Sequence, residues 1–176
     1  MGVKSVTMRG FSFFLLSILV LFLLITAIGL FLPSRVTVSR AVDMQASRST
    51  VHALLADPAR WKQWFPGADS LPLLKKADRI AGLSMPSGSP LTIRSLTDST
   101  IIVQGLQAAT IEGDMGFTLL GGDPNHVTVQ WYMNFYFDWY PWERFSSLLL
   151  ENKFGAVMEQ GLKRLQQQAQ SDSRIN

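Results

Sequence analysis

From His126 to Asp138 the chain reads HVTVQWYMNFYFD, and apolar and polar side chains alternate along it. Val127, Val129, Trp131, Met133, Phe135 and Phe137 fall on one face, with Thr128, Gln130, Tyr132, Asn134, Tyr136 and Asp138 on the other. A period of two over that length predicts a long antiparallel strand with one buried face. Trp131 is then expected inside and Tyr132 largely exposed. From about Pro141 to Gln168 the period becomes helical. Phe145, Leu148, Leu149, Phe154, Val157, Met158, Leu162 and Leu165 recur at steps of three and four, opposite Glu143, Glu151, Lys153, Glu159, Lys163 and Arg164. Pro141 suits a first helical turn, where its missing N–H is no loss. Gly155 and Gly161 each cost about 1 kcal/mol relative to Ala inside a helix, and close packing against a sheet would account for them. A strand that turns straight into a long amphipathic helix predicts a sheet curled around that helix.

Upstream the pattern is shorter-ranged. Val36, Val38, Val42 and Met44 share one face of a first strand, and Arg40 falls among them. Two readings of Arg40 stand: an inward cation that meets a ligand carboxylate or phosphate, or a rim position from which it reaches water. Ser47 is a good N-cap for a short helix that buries Val51, Leu54 and Leu55 and stops at Asp57-Pro58. A second short piece carries Trp61 and Trp64 before Pro66-Gly67 ends it. Between 71 and 120 the sequence predicts short strands near 71–75, 79–85, 91–97, 100–107 and 112–120, separated by turn-rich stretches such as Met85–Pro90 and Gly121–Asn125. In the last of these, Met115 and Phe117 alternate with Asp114 and Gly116. Short links between successive strands make an antiparallel meander.

Phe11–Leu32 is 22 residues without a charge. As a helix it would span about 33 Å, against a hydrocarbon core of about 30 Å. A cleaved signal peptide would have an apolar region of only about 7–15 residues, so the expectation is an uncleaved anchor. Val6 stands where the N-myristoylation pattern needs Ser or Thr. Lys4 and Arg9 precede the span while Arg35, Arg40 and Arg48 follow it, so the positive-inside count barely discriminates. A ten-residue basic tail is most simply retained in the cytoplasm, which places the rest outside.

Composition narrows the chemistry. The 176 residues suit one domain and little more. With no cysteine, disulfides, thiolate metal sites and cysteine nucleophiles are excluded. The net charge of +3 owes two cations to Lys4 and Arg9; from Pro33 onward 14 Lys and Arg face 13 Asp and Glu. That balance gives no electrostatic case for nucleic acid. Of the two histidines, His52 has no second ligand nearby on its helix and His126 reads as solvated beside a turn, so neither a metal site nor a cofactor is expected.

Strand, two short helices, meander, long strand, long terminal helix is the order of the helix-grip fold. The stretches VTVSRAVDMQASRSTVHALLADPARWKQWFP and FGAVMEQGLKRL carry the resemblance. They contain Asp57, Trp61 and Trp64 in an Asp-x₃-Trp-x₂-Trp arrangement, and Gly161, Leu162 and Leu165 in a Gly-Leu-x-x-Leu helix. The sequence resembles the START-like (SRPBCC) superfamily, in particular its polyketide cyclase/dehydrase type of membrane-anchored bacterial members. The resemblance implies an α+β helix-grip domain: a curved antiparallel sheet around the C-terminal helix, enclosing an apolar cavity, with the first strand beside the last. The chain then divides into a tail (1–10), a transmembrane anchor (11–32), the START-like domain (33–168) and a frayed tail (169–176).

Members of that superfamily bind lipids, sterols, polyketides and other hydrophobic molecules, and a minority are enzymes. The leading expectation is therefore a binding module for a lipid-like or other hydrophobic small molecule, anchored in a bacterial inner membrane with the domain in the periplasm. Arg40, Trp64, Met115, Phe117, Trp131, Met133, Phe135, Phe154 and Met158 would line its cavity, methionine adapting to irregular ligands. Trp139, Tyr140 and Trp142, at the corner between strand and helix, would sit at the membrane surface, where amphipathic rings are favoured. The alternative for that corner is a packed hinge. The alternative for the chain is an envelope interaction or structural protein with a filled core. A cyclase- or hydrolase-type enzyme needs converging acid and base groups, and the sequence offers no such pair; Glu112 and Asp114 share a strand face that reads as outward.

Overall fold

The computed structural model describes residues 3–76, 79–86, 89–108, 111–121, 123 and 125–175. Helix α1 (Val3–Phe31) leads into strand β1 (Arg35–Met44), then helices α2 (Arg48–Ala56) and α3 (Trp61–Trp64). Strands β2 (Leu73–Lys76), β3 (Arg79–Leu83), β4 (Leu91–Leu96), β5 (Thr100–Ala108), β6 (Ile111–Leu120) and β7 (Val127–Tyr136) follow, and helix α4 (Pro141–Ile175) closes the chain. All seven strands form one antiparallel sheet in the order β1-β7-β6-β5-β4-β3-β2. The first and last strands pair at one edge of the sheet, which curls around α4 in the helix-grip arrangement.

The alternation along β7 decides which way the sheet faces. Val127, Val129, Trp131, Met133 and Phe135 point to the helix and are buried. Across the strand pairs, Trp131 sits opposite Arg40 of β1 and Phe117 of β6, and Met133 opposite Val38 and Met115. The other face is polar. There Thr37 donates to Asn134 (2.7 Å), Asn134 to Asp114 (2.6 Å), and the Tyr136 hydroxyl to Asp114 (2.7 Å). Tyr132 is half-buried rather than open, because its ring lies across Gly116, where a β-carbon would come within 2.3 Å of the hydroxyl.

Curvature comes from irregularities in β2, β4 and β5. At the β5 bulge Gly105 has φ +93°, and a β-carbon there would lie 2.0 Å from the Pro90 carbonyl oxygen. Only glycine fits such a position.

The short helices plug one end of the curl. Ser47 caps α2 by accepting from the Thr50 N–H (3.1 Å). Val51, Leu54 and Leu55 are buried. The two buried indoles find acceptors on the preceding helix: Trp61 on the Leu55 carbonyl (2.8 Å) and Trp64 on that of Leu54 (3.3 Å).

Both terminal helices outrun the sequence-based boundaries. Helix α1 begins at Val3, within the expected tail, and runs unbroken to Phe31. Helix α4 continues to Ile175, beyond the bound of 168 expected for the domain. Ala169 is buried, and Asp172 forms an ion pair with Arg60 just before α3. The early turns of α4 also face otherwise than the periodicity predicts. Ser147 and Leu150 turn inward, while Phe145, Leu148 and Leu149 are exposed.

Trp131→Ala should cost roughly 3–5 kcal/mol, the range for removing a large aromatic from a packed core, and Tyr132→Ala distinctly less, in urea unfolding of the detergent-solubilised chain. The reverse order would mean that β7 is shifted by one residue, since such a slip exchanges the two faces.

Candidate functional site

The residues expected to line a cavity meet at the centre of the grip. Trp64, Met115, Phe117, Trp131, Phe135 and Met158 are fully buried, Met133 is nearly so, and Phe154 is half-buried. Their rings touch. Trp131 lies 5.3 Å from Phe117, 5.4 Å from Phe65 and 6.0 Å from Trp64, centroid to centroid, and Trp64 meets Phe117 edge-on at 5.6 Å. Phe135 and Phe154 pack at 4.8 Å. These are contact distances for aromatic pairs, so this part of the grip is a packed core. One polar mark remains within it: the Trp131 indole N–H is buried with no hydrogen-bond acceptor. Such a group ordinarily costs about 1–3 kcal/mol.

Two bare helix positions allow α4 to come this close. A β-carbon on Gly161 would fall 2.7 Å from the Trp131 ring and 2.9 Å from Pro66. One on Gly155 would fall 2.6 Å from the Arg40 guanidinium. Glu151, Gly155 and Glu159 succeed one another at four-residue steps, so they form a single row on the helix. Arg40 crosses that row over Gly155, donating to Glu159 at 2.9 Å and to Glu151 at 3.3 Å. The hydrogen bond to Glu159, above all, raises the Arg40 pKa. The cation on the apolar face of β1 therefore reaches the rim and is already paired with carboxylates of its own chain.

Beyond that pair the free edge of β1 and the flank of α4 leave a groove of about 470 Å³, lined by Arg40, Ala41, Val42, Glu159, Leu162, Lys163 and Gln166. Its walls are apolar at Ala41, Val42 and Leu162. Its rim carries both signs of charge. Sequence periodicity did not single out this place, because it is formed by two elements over a hundred residues apart.

The charged groups at the groove are Arg40, Glu159 and Lys163, and the first two are paired with each other. Asp114 lies on the outer face of the sheet, occupied by Asn134 and Tyr136. Its hydrogen bond, followed by burial, pushes the Tyr136 phenol above the ordinary tyrosine value. Glu112 is exposed. His52 contacts the Thr97 carbonyl oxygen at 3.1 Å. Among the described residues no three His, Cys, Asp or Glu side chains come together as a metal site would require.

Trp139, Tyr140 and Trp142 stack on one another at 4.7 and 5.0 Å, with both tryptophans largely exposed. They sit at the end of α1. Arg144 donates to the Leu32 carbonyl (2.6 Å) and to that of Asp138 (2.7 Å), and the Phe137 N–H to the Ser34 carbonyl (2.8 Å). A cation on the last carbonyls of a helix is favourable both as a cap and against the helix dipole. Pro141 packs on Gly29, where a β-carbon would lie 3.3 Å away. The corner is thus a hinge that is tied to α1 and also presents aromatic surface.

Residues 35–170 match the profile of a family described as polyketide cyclase/dehydrase and lipid transport. The chain belongs to that family. Solved structures agree on the START-like fold. A START superfamily protein from Mycobacterium smegmatis superposes with a TM-score of 0.58 at 15% identity, covering 77% of this chain and 97% of its own. An uncharacterized protein from Bacillus thuringiensis gives 0.55 at 17%, covering 75% and 97%. An aromatase/cyclase from Streptomyces sp. R1128 gives 0.52 at 15%, covering 80% and 94%. No curated protein matches the sequence. The START-like match includes β1 and α4, and so both walls of the groove.

The two glycines should respond differently to alanine. Each gains about 1 kcal/mol in helix propensity. At Gly155 the obstructing group is the mobile end of Arg40, so Gly155→Ala should leave stability level or slightly raised. At Gly161 the obstacles are two rings in a packed core, and overpacking of that kind costs roughly 1–3 kcal/mol. Gly161→Ala should therefore lower the unfolding midpoint; a rise would contradict this seating of α4.

Proposed function

We propose that the chain is a membrane-anchored binding module for a lipid-like or other hydrophobic small molecule, held where α4 leaves the free edge of β1. The observation that carries this reading is the groove itself. Its volume of about 470 Å³ lies within the roughly 300–1,000 Å³ of small-molecule sites, and apolar walls with a few polar groups at the rim are their usual composition. The family description, which includes lipid transport, supports the ligand class. Ala41, Val42 and Leu162 would take the apolar body, with Lys163 and Gln166 at its polar end. Arg40, closed by Glu151 and Glu159, bounds the site.

Anchoring by α1 is the second part of the proposal. Gly10–Phe31 is long and apolar enough to cross a membrane. Its large side chains are mostly exposed, unlike those of a soluble core helix. The Ser17 and Thr26 hydroxyls bond back to the carbonyls of Phe13 and Phe22, as polar groups must in lipid. With the short basic tail retained in the cytoplasm, the domain would lie on the outer side of a bacterial inner membrane, in the periplasm. Trp139, Tyr140 and Trp142 then lie at the interface. The packed aromatic centre favours a second reading, an envelope interaction protein that binds no small molecule.

Native mass spectrometry of the full-length protein, released from detergent, separates the two readings. Ligand binding predicts a small-molecule adduct on the wild type that is lost in Val42→Glu, whose charge would stand on the apolar wall. No adduct on either protein, both folded, would leave the interaction reading. For the anchor, Leu24→Arg should shift protein out of the membrane fraction, because a central arginine costs roughly 2.5–3.5 kcal/mol on insertion scales. An unchanged membrane fraction would contradict a spanning α1.

A further inference from the structure

The first turns of α4 are apolar on two sides. One side, at Ser147 and Leu150, is buried in the domain. On the opposite side Trp142, Phe145, Leu148 and Leu149 form a continuous exposed face, with Leu148 and Leu149 at 62% and 66% exposure. A helix of a water-surrounded domain carries polar residues there. This face carries none until Asn152 and Lys153, a turn beyond Leu149. A contiguous exposed apolar patch of this kind marks an interaction surface.

Its position relative to α1 indicates what covers it. Pro141 packs on Gly29, in the last turn of α1. Arg144, one turn further along α4, holds the Leu32 carbonyl. The start of α4 is therefore level with the last turn of the apolar helix, and the exposed face continues from the Trp139–Tyr140–Trp142 stack. Lys153, where that face ends, is the residue type that interfacial helices direct to anionic headgroups.

We infer that the first turns of α4 are a second membrane contact: Trp142, Phe145, Leu148 and Leu149 dock on the bilayer beside α1 and fix the tilt of the domain. This rests on α1 being a membrane anchor. The bilayer then meets the domain along two helices joined at the Arg144 corner, not at a flexible tether.

The chain has no cysteine, so single cysteines introduced as Leu24→Cys, Phe145→Cys, Leu149→Cys and Asp98→Cys can each carry one spin label. The full-length variants are reconstituted in nanodiscs of phosphatidylethanolamine and phosphatidylglycerol. Collisions with oxygen, which enriches in lipid, are compared with those of a water-soluble nickel chelate. The inference expects oxygen to dominate at positions 24, 145 and 149 and the chelate to dominate at 98. Oxygen dominating at 24 while the chelate dominates at 145 and 149 would overturn the inference and leave the anchor standing. The chelate dominating at 24 would overturn both. Dipolar broadening between labels at 149, with low access to both reagents, would show that a second copy covers the face and would also overturn it.

Discussion

Trp131 reaches from the middle of the sheet to the bare backbone of Gly161, and that contact sets how closely α4 seats in the curve of strands. Phe117, Phe65 and Trp64 close around the same ring, which ties α3 to the sheet as well as to the helix. Helix α4 packs mainly along β1 and leaves the groove at that strand's free edge. The groove at Ala41, Val42 and Leu162 follows from this geometry, and so does the need for Arg40 to extend over Gly155 to reach Glu151 and Glu159. A larger residue at 161 would move the helix and change the groove together. Core packing and the proposed ligand site are in this sense one feature.

The other fixed point is the corner at Arg144. It binds the Leu32 carbonyl at the end of α1 while β1 and β7 pair immediately beside it. Because Pro33 and Ser34 are the only residues between the end of the apolar stretch and β1, the sheet has little freedom relative to α1. If α1 is in the membrane, the groove is held at a set height. The residues that line it on α4 begin at Glu159, about 15 Å along the helix from Leu149. A hydrophobic molecule leaving the bilayer would have only that distance to cross along the helix.

Much of this was legible in the sequence where a pattern is local and repeated. The alternation from Val127 to Phe137 gave the strand, its buried face and the burial of Trp131. The order of elements and the motifs around Trp61, Trp64 and Gly161 gave the helix-grip fold. The early turns of α4 were misread because apolar residues there occur on both sides of the helix, and periodicity alone cannot tell which side is inside; Leu150 is, and Leu149 is not. The end of α4 carries no such local pattern because its partners are distant in sequence: Asp172 pairs with Arg60. Arg40 was ambiguous for the same reason, since its two carboxylates lie more than a hundred residues away. The groove itself has no signature in either of the segments that form it.

The central claim is that a hydrophobic ligand is held in the groove between β1 and α4 while the aromatic centre stays closed. Two-dimensional NMR of the full-length protein in micelles, titrated with a medium-chain fatty acid as a probe, tests it directly. The account predicts shifts concentrated at Ala41, Val42, Leu162 and Gln166, with the Trp131 indole N–H signal unmoved. A large shift of that indole signal, with Ala41 and Val42 unchanged, would show that the ligand enters the grip and would contradict the account.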